Sequence, residues 1–266
     1  MFCHCKKNLL YAGFSAFCLI LSGNAWSLNA SPPRTPFSSP IPAKLAFVEN
    51  DGVQRQYLLA RSYRDGEGVA RDLSKARRLF AAAAEQGFAP AQIDLGQMYS
   101  TGLGVGKNAK LAAYWFEKAA AQDYASAQYN LANMYRTGTG VSKDLNRAFS
   151  YYTKAANKGF VKAQFNLALM YYQSLGVKKN LGKVFFWYQK AAKSGFPQAQ
   201  YALGNMYSEG DGVAKDYEKA YYWMSKASKG GIKSAFDKLE RLRLLTELTR
   251  KNRIDEILLG DEFVAD

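Results

Sequence analysis

The chain is 266 residues long, 48% hydrophobic and 22% charged, with a formal net charge of +14. That balance suits one elongated soluble domain and excludes an integral membrane protein. Its only cysteines are Cys3, Cys5 and Cys18, and its only histidine is His4.

Residues 1–27 read as a signal segment. Lys6 and Lys7 supply the positive start, Asn8 to Ser22 an apolar run, and Ala25-Trp26-Ser27 a cleavage site with small residues where a peptidase reads them. Cleavage after Ala25 fits equally well. An uncleaved anchor is the alternative, but the run is short for a span of about 20 residues. A lipid attachment at Cys18 is disfavoured by Phe17, where a small residue is wanted. Processing removes every thiol and the imidazole. The mature chain is therefore expected to hold no disulfide, no Cys- or His-ligated zinc, no cysteine nucleophile and no Ser-His-Asp triad. Carboxylate or Ser-Lys chemistry stays formally open. No catalytic residue, cofactor or metal is assigned, and no small-molecule substrate is expected.

Residues 28–52 form a linker and lead-in, in which SPPRTPFSSPIP holds five of the seven prolines of the chain. Such a composition favours an extended, unpacked spacer over a folded element. A proline-rich ligand for a partner domain is the other reading of the same stretch.

From residue 53 to 231 the sequence repeats with a period of 36 residues. Tyr63, Tyr99, Tyr135, Tyr171 and Tyr207 fall in register, as do Val69, Val105, Val141, Val177 and Val213. A fixed period of that length signals a solenoid. The five copies run about 54–88, 89–124, 125–160, 161–196 and 197–231. In the third, Ala127, Leu131 and Met134 or Tyr135 make one apolar stripe of a short helix. Gly138-Thr139-Gly140-Val141 turns the chain, since glycine tolerates the positive φ that ends a helix. Asp144 is placed to cap a second helix, whose packing side carries Ala148, Tyr151, Tyr152, Ala155 and Ala156. Gly159 ends that helix. One such pair cannot bury enough apolar surface alone, whereas a stack can. The expected fold is all-α, an α/α superhelical solenoid of five helix pairs. Residues 232–252 follow as an amphipathic capping helix, with Leu239, Leu242, Leu245 and Leu248 covering the last pair. Lys238, Glu240, Arg241 and Arg243 are expected to face outward, and 253–266 to form an acidic, loose tail.

The fifth copy reads AQYALGNMYSEGDGVAKDYEKAYYWMSKASKGG, and this pattern resembles the Sel1-like repeat, a relative of the tetratricopeptide repeat. The resemblance covers residues 54–235. Departures are local: Asp123 and Ser174 stand at glycine positions, Val184 at an alanine and Leu79 at a tryptophan. The resemblance implies a scaffold whose first helices line a concave groove and whose second helices form the convex side. It also implies roles in envelope assembly, signalling, quality control or contact with a host cell. Cysteine-rich secreted members of the family have been linked to penicillin binding or β-lactam hydrolysis. They depend on a disulfide in each repeat, which this chain lacks after processing, so a β-lactamase-like hydrolase is the remote alternative.

On the first helices the positions opposite the apolar stripe are Asp94, Gln97 and Thr101, then Asn130, Asn133 and Thr137. The fourth copy gives Asn166, Leu169 and Gln173, and the fifth Ala202, Asn205 and Glu209. A ladder of carboxamides both donates and accepts, and suits an extended peptide backbone. Gln92, Gln128, Gln164 and Gln200 belong to the repeat pattern and are expected to bond a neighbouring turn. The second helices are basic, with Lys75, Arg147, Lys183 and Lys219 at one position and Lys118, Lys154, Lys190 and Lys226 at another. Such a stripe suits an anionic envelope component, or is a solvated face. Trp115, Tyr151, Trp187 and Trp223 recur in phase and are expected to pack between pairs. The GxGV turns lack the GxxxxGK[ST] pattern of a phosphate loop. The expected function is an exported, non-catalytic adaptor, periplasmic or secreted, that binds a protein or peptide in its groove. Nucleic acid is not an expected partner of an exported chain. An envelope scaffold using the basic face is the alternative.

Overall fold

The computed structural model describes residues 52–261, with side chains through Arg253. The expected signal segment and all of the linker before Gly52 lie outside those residues. The described chain is helical with no strand. Its helices are α1 (Gly52–Asp65), α2 (Leu73–Glu85), α3 (Ala89–Thr101), α4 (Ala109–Ala121), α5 (Ala125–Thr137) and α6 (Leu145–Asn157). They continue with α7 (Val161–Gln173), α8 (Leu181–Lys193), α9 (Pro197–Glu209), α10 (Tyr217–Lys229) and α11 (Lys233–Asp261). Each helix packs on its neighbours in the chain, so five helix pairs stack in order and α11 closes on α10. This is the all-α solenoid that the period predicts.

Each second helix begins in the same way. Asp72, Asn108, Asp144, Asn180 and Asp216 have extended backbones, and their side chains accept from the N–H three residues on at 2.9–3.0 Å. Those bonds satisfy amides that a helix start otherwise leaves without partners. The first helices α3, α5, α7 and α9 lack side-chain caps. They start instead after an aromatic residue, Phe88, Tyr124, Phe160 or Phe196, with Pro90 and Pro197 in first turns where a missing N–H costs little.

Each of α3, α5, α7 and α9 ends on a left-handed residue: Gly102, Gly138, Ser174 and Gly210. Ser174 holds φ at 57° without a side-chain hydrogen bond among the described residues. A left-handed backbone costs a non-glycine residue about 1–2 kcal/mol, part of which glycine returns as unfolded-state entropy. Ser174→Gly is expected to stabilise the protein by about 0.5–1 kcal/mol, read as a higher urea midpoint.

The core is built from small residues where helices touch and large ones between pairs. Ala76, Ala112, Ala148, Val184 and Ala220 are all fully buried at one register position. At the next inward position of the second helices stand Phe80, Phe116, Tyr152, Tyr188 and Met224, and against them the first helices set Leu95, Leu131, Leu167 and Leu203. Gly96 lies so close to Phe116 that an added Cβ would sit 2.9 Å from its ring. Trp187 is buried, while Trp115, Tyr151 and Trp223 are half-buried against the core, and Tyr151 stacks on Tyr135 with centroids 5.9 Å apart. The recurring glutamines are buried and bridge copies: Gln92, Gln164 and Gln200 donate to Ala84, Ala156 and Ala192 at the end of the preceding second helix. Gln128 donates instead to Asp123, the residue that stands at a glycine position.

The C-terminal helix departs from expectation in three respects. It runs to Asp261, past the boundary at 252 and into the expected loose tail. Leu242 is buried and Leu239 and Leu245 are partly so, but Leu248 is 56% exposed, although α10 still runs beside this part of the helix, where Arg250 pairs with Glu218 at 2.7 Å. Lys238 does not face outward; it donates to Asn205 Oδ1 at 2.7 Å and lies over the Tyr201 ring.

Candidate partner-binding face

The first helices α3, α5, α7 and α9 place the predicted ladder on one side of the stack, but its members differ in how free they are. Gln97, Asn130 and Gln173 make no side-chain hydrogen bond to another described residue, and Gln97 and Gln173 are exposed. Thr101 and Thr137 are exposed and bond back to their own helix, at Gln97 and Asn133 carbonyls. Asp94 is a different case. It is half-buried, paired with Arg64 at 3.3 Å and hydrogen-bonded by Tyr57, and burial pushes its carboxyl above the usual range. The divergent first copy thus closes over that end of the ladder.

Asn133 and Asn166 are tied by a residue that reaches through from the second helix behind them. The Tyr152 hydroxyl donates to Asn133 Oδ1 at 2.5 Å and accepts from Asn166 Nδ2 and Arg136 Nε, each at 3.3 Å. Burial raises the Tyr152 pKa, so it remains a neutral phenol near neutral pH. The knot joins the third copy to the fourth. It uses one acceptor of Asn133 and one donor of Asn166, leaving the Asn133 amide N–H groups and Asn166 Oδ1 for a ligand. Asn205 keeps only one N–H, since Lys238 takes its oxygen and its amide also donates to the Tyr201 hydroxyl. A helical wheel of one helix carries no information about a side chain arriving from another.

Beyond Asn166 the face becomes apolar. Leu169 and Ala202 replace carboxamides, and a recess of about 480 Å³ opens there between α7, α8 and α9. Phe165, Leu169, Val184, Tyr188, Ala202 and Met206 line its floor, with Gln173, Asn205, Glu209 and Asp211 at its edge. The ladder did not anticipate this recess, although the 36-residue register holds the signal: each partner of Tyr152 has a non-partner one copy later.

All eight predicted basic residues of the second helices are exposed, but the structure gives most of them local work. Lys75, Arg147 and Lys219 pair with the cap carboxylates Asp72, Asp144 and Asp216 at 2.9–3.5 Å. The same three lie over Tyr63, Tyr135 and Tyr207. Lys118, Lys154, Lys190 and Lys226 lie 4.7–5.6 Å above Tyr114, Tyr151, Phe186 and Tyr222. Only Lys183 among the eight has neither kind of contact among the described residues. Cation–π contacts of this exposed type contribute about 0.5–1 kcal/mol each.

Among the described residues no group of three or more His, Cys, Asp or Glu side chains is placed to hold a metal ion. No described helix is long and apolar enough to cross a membrane.

This architecture defines a helix-pair repeat scaffold. The Sel1 repeat model matches residues 56–88, 89–124, 125–160, 161–196 and 197–232, and the chain belongs to the Sel1 repeat family. It is similar to a Sel1 repeat protein from Oxalobacter formigenes, with 34% identity and a TM-score of 0.66 over 70% of this chain and 74% of that one. It is also similar to a protective antigen present in uropathogenic Escherichia coli strains, with 35% identity and a TM-score of 0.69 over 70% of this chain. The chain spans 40% of the length of that antigen. No curated protein sequence matches it. Sel1 repeat solenoids are scaffolds that commonly mediate protein–protein contact.

Proposed function

We propose that this protein is an exported, non-catalytic adaptor that holds a protein partner along its first-helix face. The observation that carries the reading is an imbalance between the two faces. The first helices offer unused amide donors and acceptors at Gln97, Asn130, Asn133, Asn166 and Gln173 beside an apolar recess. On the second helices, seven of the eight basic residues are already seated over the protein's own rings or beside its own caps. Export rests on the sequence of residues 1–27 and fits the likeness to a protective antigen.

Because Asn133 and Asn166 hold Tyr152, replacing them would disturb the fold as well as the surface. The sharper test is the triple variant Gln97→Arg, Asn130→Arg, Gln173→Arg, which touches no described side-chain hydrogen bond. A partner captured by crosslinking in cells should bind this variant about tenfold or more weakly than the parent. Parental binding to the peptide contact should weaken only a few-fold from about 50 to 500 mM salt, whereas an anionic ligand spread over the many charges of the basic face would be lost over that range. Unchanged affinity in the variant with steep salt dependence sinks the assignment. Measurable hydrolysis of a chromogenic β-lactam by the purified protein would contradict the non-catalytic reading.

A further inference from the structure

The second helices carry a hydroxyl at their central buried position in only two of five copies, Tyr152 and Tyr188; the others are Phe80, Phe116 and Met224. Tyr152 has three hydrogen-bond partners. One copy later, Tyr172 stands for Arg136, Leu169 for Asn133 and Ala202 for Asn166. Tyr188 is 5% exposed, and its hydroxyl has no hydrogen-bond partner among the described residues. It lines the 480 Å³ recess together with Leu169, Tyr172 and Ala202. Phenylalanine fills the same position in the first two copies, so packing alone does not require this oxygen. A polar atom in an otherwise apolar floor orients a ligand, which is how binding pockets combine affinity with specificity.

The edge of the recess adds a charge. Glu209 and Asp211 occupy positions held in the second, third and fourth copies by Thr101, Thr137 and Gln173, and by Leu103, Thr139 and Leu175. The first copy is also acidic there, with Asp65 and Glu67, but its Asp65 is paired with Arg64 at 2.8 Å. Neither carboxylate forms an ion pair with a described residue. Lys215, Lys238 and Arg241 border a neighbouring recess with Glu209; Lys238 is committed to Asn205 and the Tyr201 ring, and Lys215 and Arg241 form no ion pair with Glu209. Two acidic side chains thus stand at one corner of a chain whose net charge is +14.

We propose that the recess between the fourth and fifth copies anchors an extended segment of a partner protein. It takes a bulky apolar side chain over Leu169, Tyr188 and Ala202, next to a lysine or arginine held by Glu209 and Asp211. The Tyr188 hydroxyl meets a backbone carbonyl or amide of that segment, and Gln173 and Asn205 meet the backbone at the rim. The inference rests on the first-helix face being the binding face, and it names what that face reads.

The test is selection of a random heptapeptide display library on the purified protein and on variants that remain folded by thermal melting. Ala202→Trp fills the recess. Leu169→Asn installs the residue of the third copy and gives Tyr188 a partner within the protein. The double variant Glu209→Lys, Asp211→Lys reverses the charge of the edge. The parent should enrich peptides with a bulky apolar residue beside Lys or Arg. Affinity of the selected peptides should fall about tenfold or more in Ala202→Trp and Leu169→Asn, and the double variant should select Glu or Asp beside the apolar residue. Selection without such a consensus overturns the proposal. A consensus unaffected by Ala202→Trp and Leu169→Asn but lost in the triple arginine variant also overturns it, while leaving the first-helix face as the binding face. A consensus unaffected by all of them removes both readings. Self-association abolished by Ala202→Trp, without peptide selection, makes a second copy the occupant and likewise overturns it.

Discussion

Gly140→Ala is expected to destabilise the protein by about 3 kcal/mol, while Gly138→Ala, two residues earlier in the same turn, costs about 1 kcal/mol. Both glycines have positive φ, 75° and 74°, so both substitutions incur the left-handed penalty. They differ in what a new Cβ meets. At Gly138 it would lie 3.3 Å from Lys143 Cβ in the same copy, a contact that a shift of a few tenths of an ångström relieves. At Gly140 it would lie 2.2 Å from the Ala109 carbonyl oxygen, at the start of α4 in the preceding copy. The backbone of one repeat has to move away from the next to admit it. Gly176 and Gly212 meet Leu145 and Leu181 in the same way. The first glycine of the turn therefore ends a helix, and the second sets the spacing between copies. This explains why Ser174 is tolerated at the first position. Urea unfolding of the two variants checks the contrast, and equal losses would show that the spacing role is absent. Since each copy contacts only its neighbours, Gly140→Ala should also broaden the transition by uncoupling the first two copies from the rest.

The two buried tyrosines should respond differently to loss of one oxygen. Tyr152→Phe removes a hydroxyl with three partners and leaves Asn133, Arg136 and Asn166 to find water, so a loss of about 1.5 kcal/mol is expected. Tyr188→Phe removes a hydroxyl without a described partner, and stability should stay within about 0.5 kcal/mol of the parent. Denaturant midpoints measure both. A loss at Tyr188 equal to that at Tyr152 would mean that its oxygen is held by the fold, and would weaken the case that it serves a ligand.

The features legible in the sequence were those written along one helix or repeated in phase. The 36-residue period placed the helix pairs, the Asp144 cap and the packing of Trp187 and Tyr151, while the Asn caps Asn108 and Asn180 came from the structure. It also marked Gln92, Gln164 and Gln200 as structural. The features that a single-helix reading misses depend on reach from a neighbouring element. A wheel of α5 and α7 turns Asn133 and Asn166 toward solvent, and does not register Tyr152 arriving from α6 behind them. Lys238 is polar on the wheel of α11, but Asn205 of α9 gives it a partner inward. The basic stripe was partly readable. Tyr114 and Lys118, Phe186 and Lys190, and Tyr222 and Lys226 are each four residues apart on a helix, a spacing that brings side chains together. The recess was readable only by comparing copies, as the loss at Arg136, Asn133 and Asn166 positions of every group that Tyr152 uses.

The most direct test of the account places a photocrosslinking amino acid at single positions and asks which face touches the partner in living cells. Gln97, Thr137 and Gln173 report on the first helices, and Lys118, Lys154 and Lys226 on the second; all six are exposed. The account predicts one defined protein adduct from the first three, strongest at Gln173 beside the recess, and none from the lysine positions. Adducts confined to the lysine positions would contradict it and move the binding surface to the basic face.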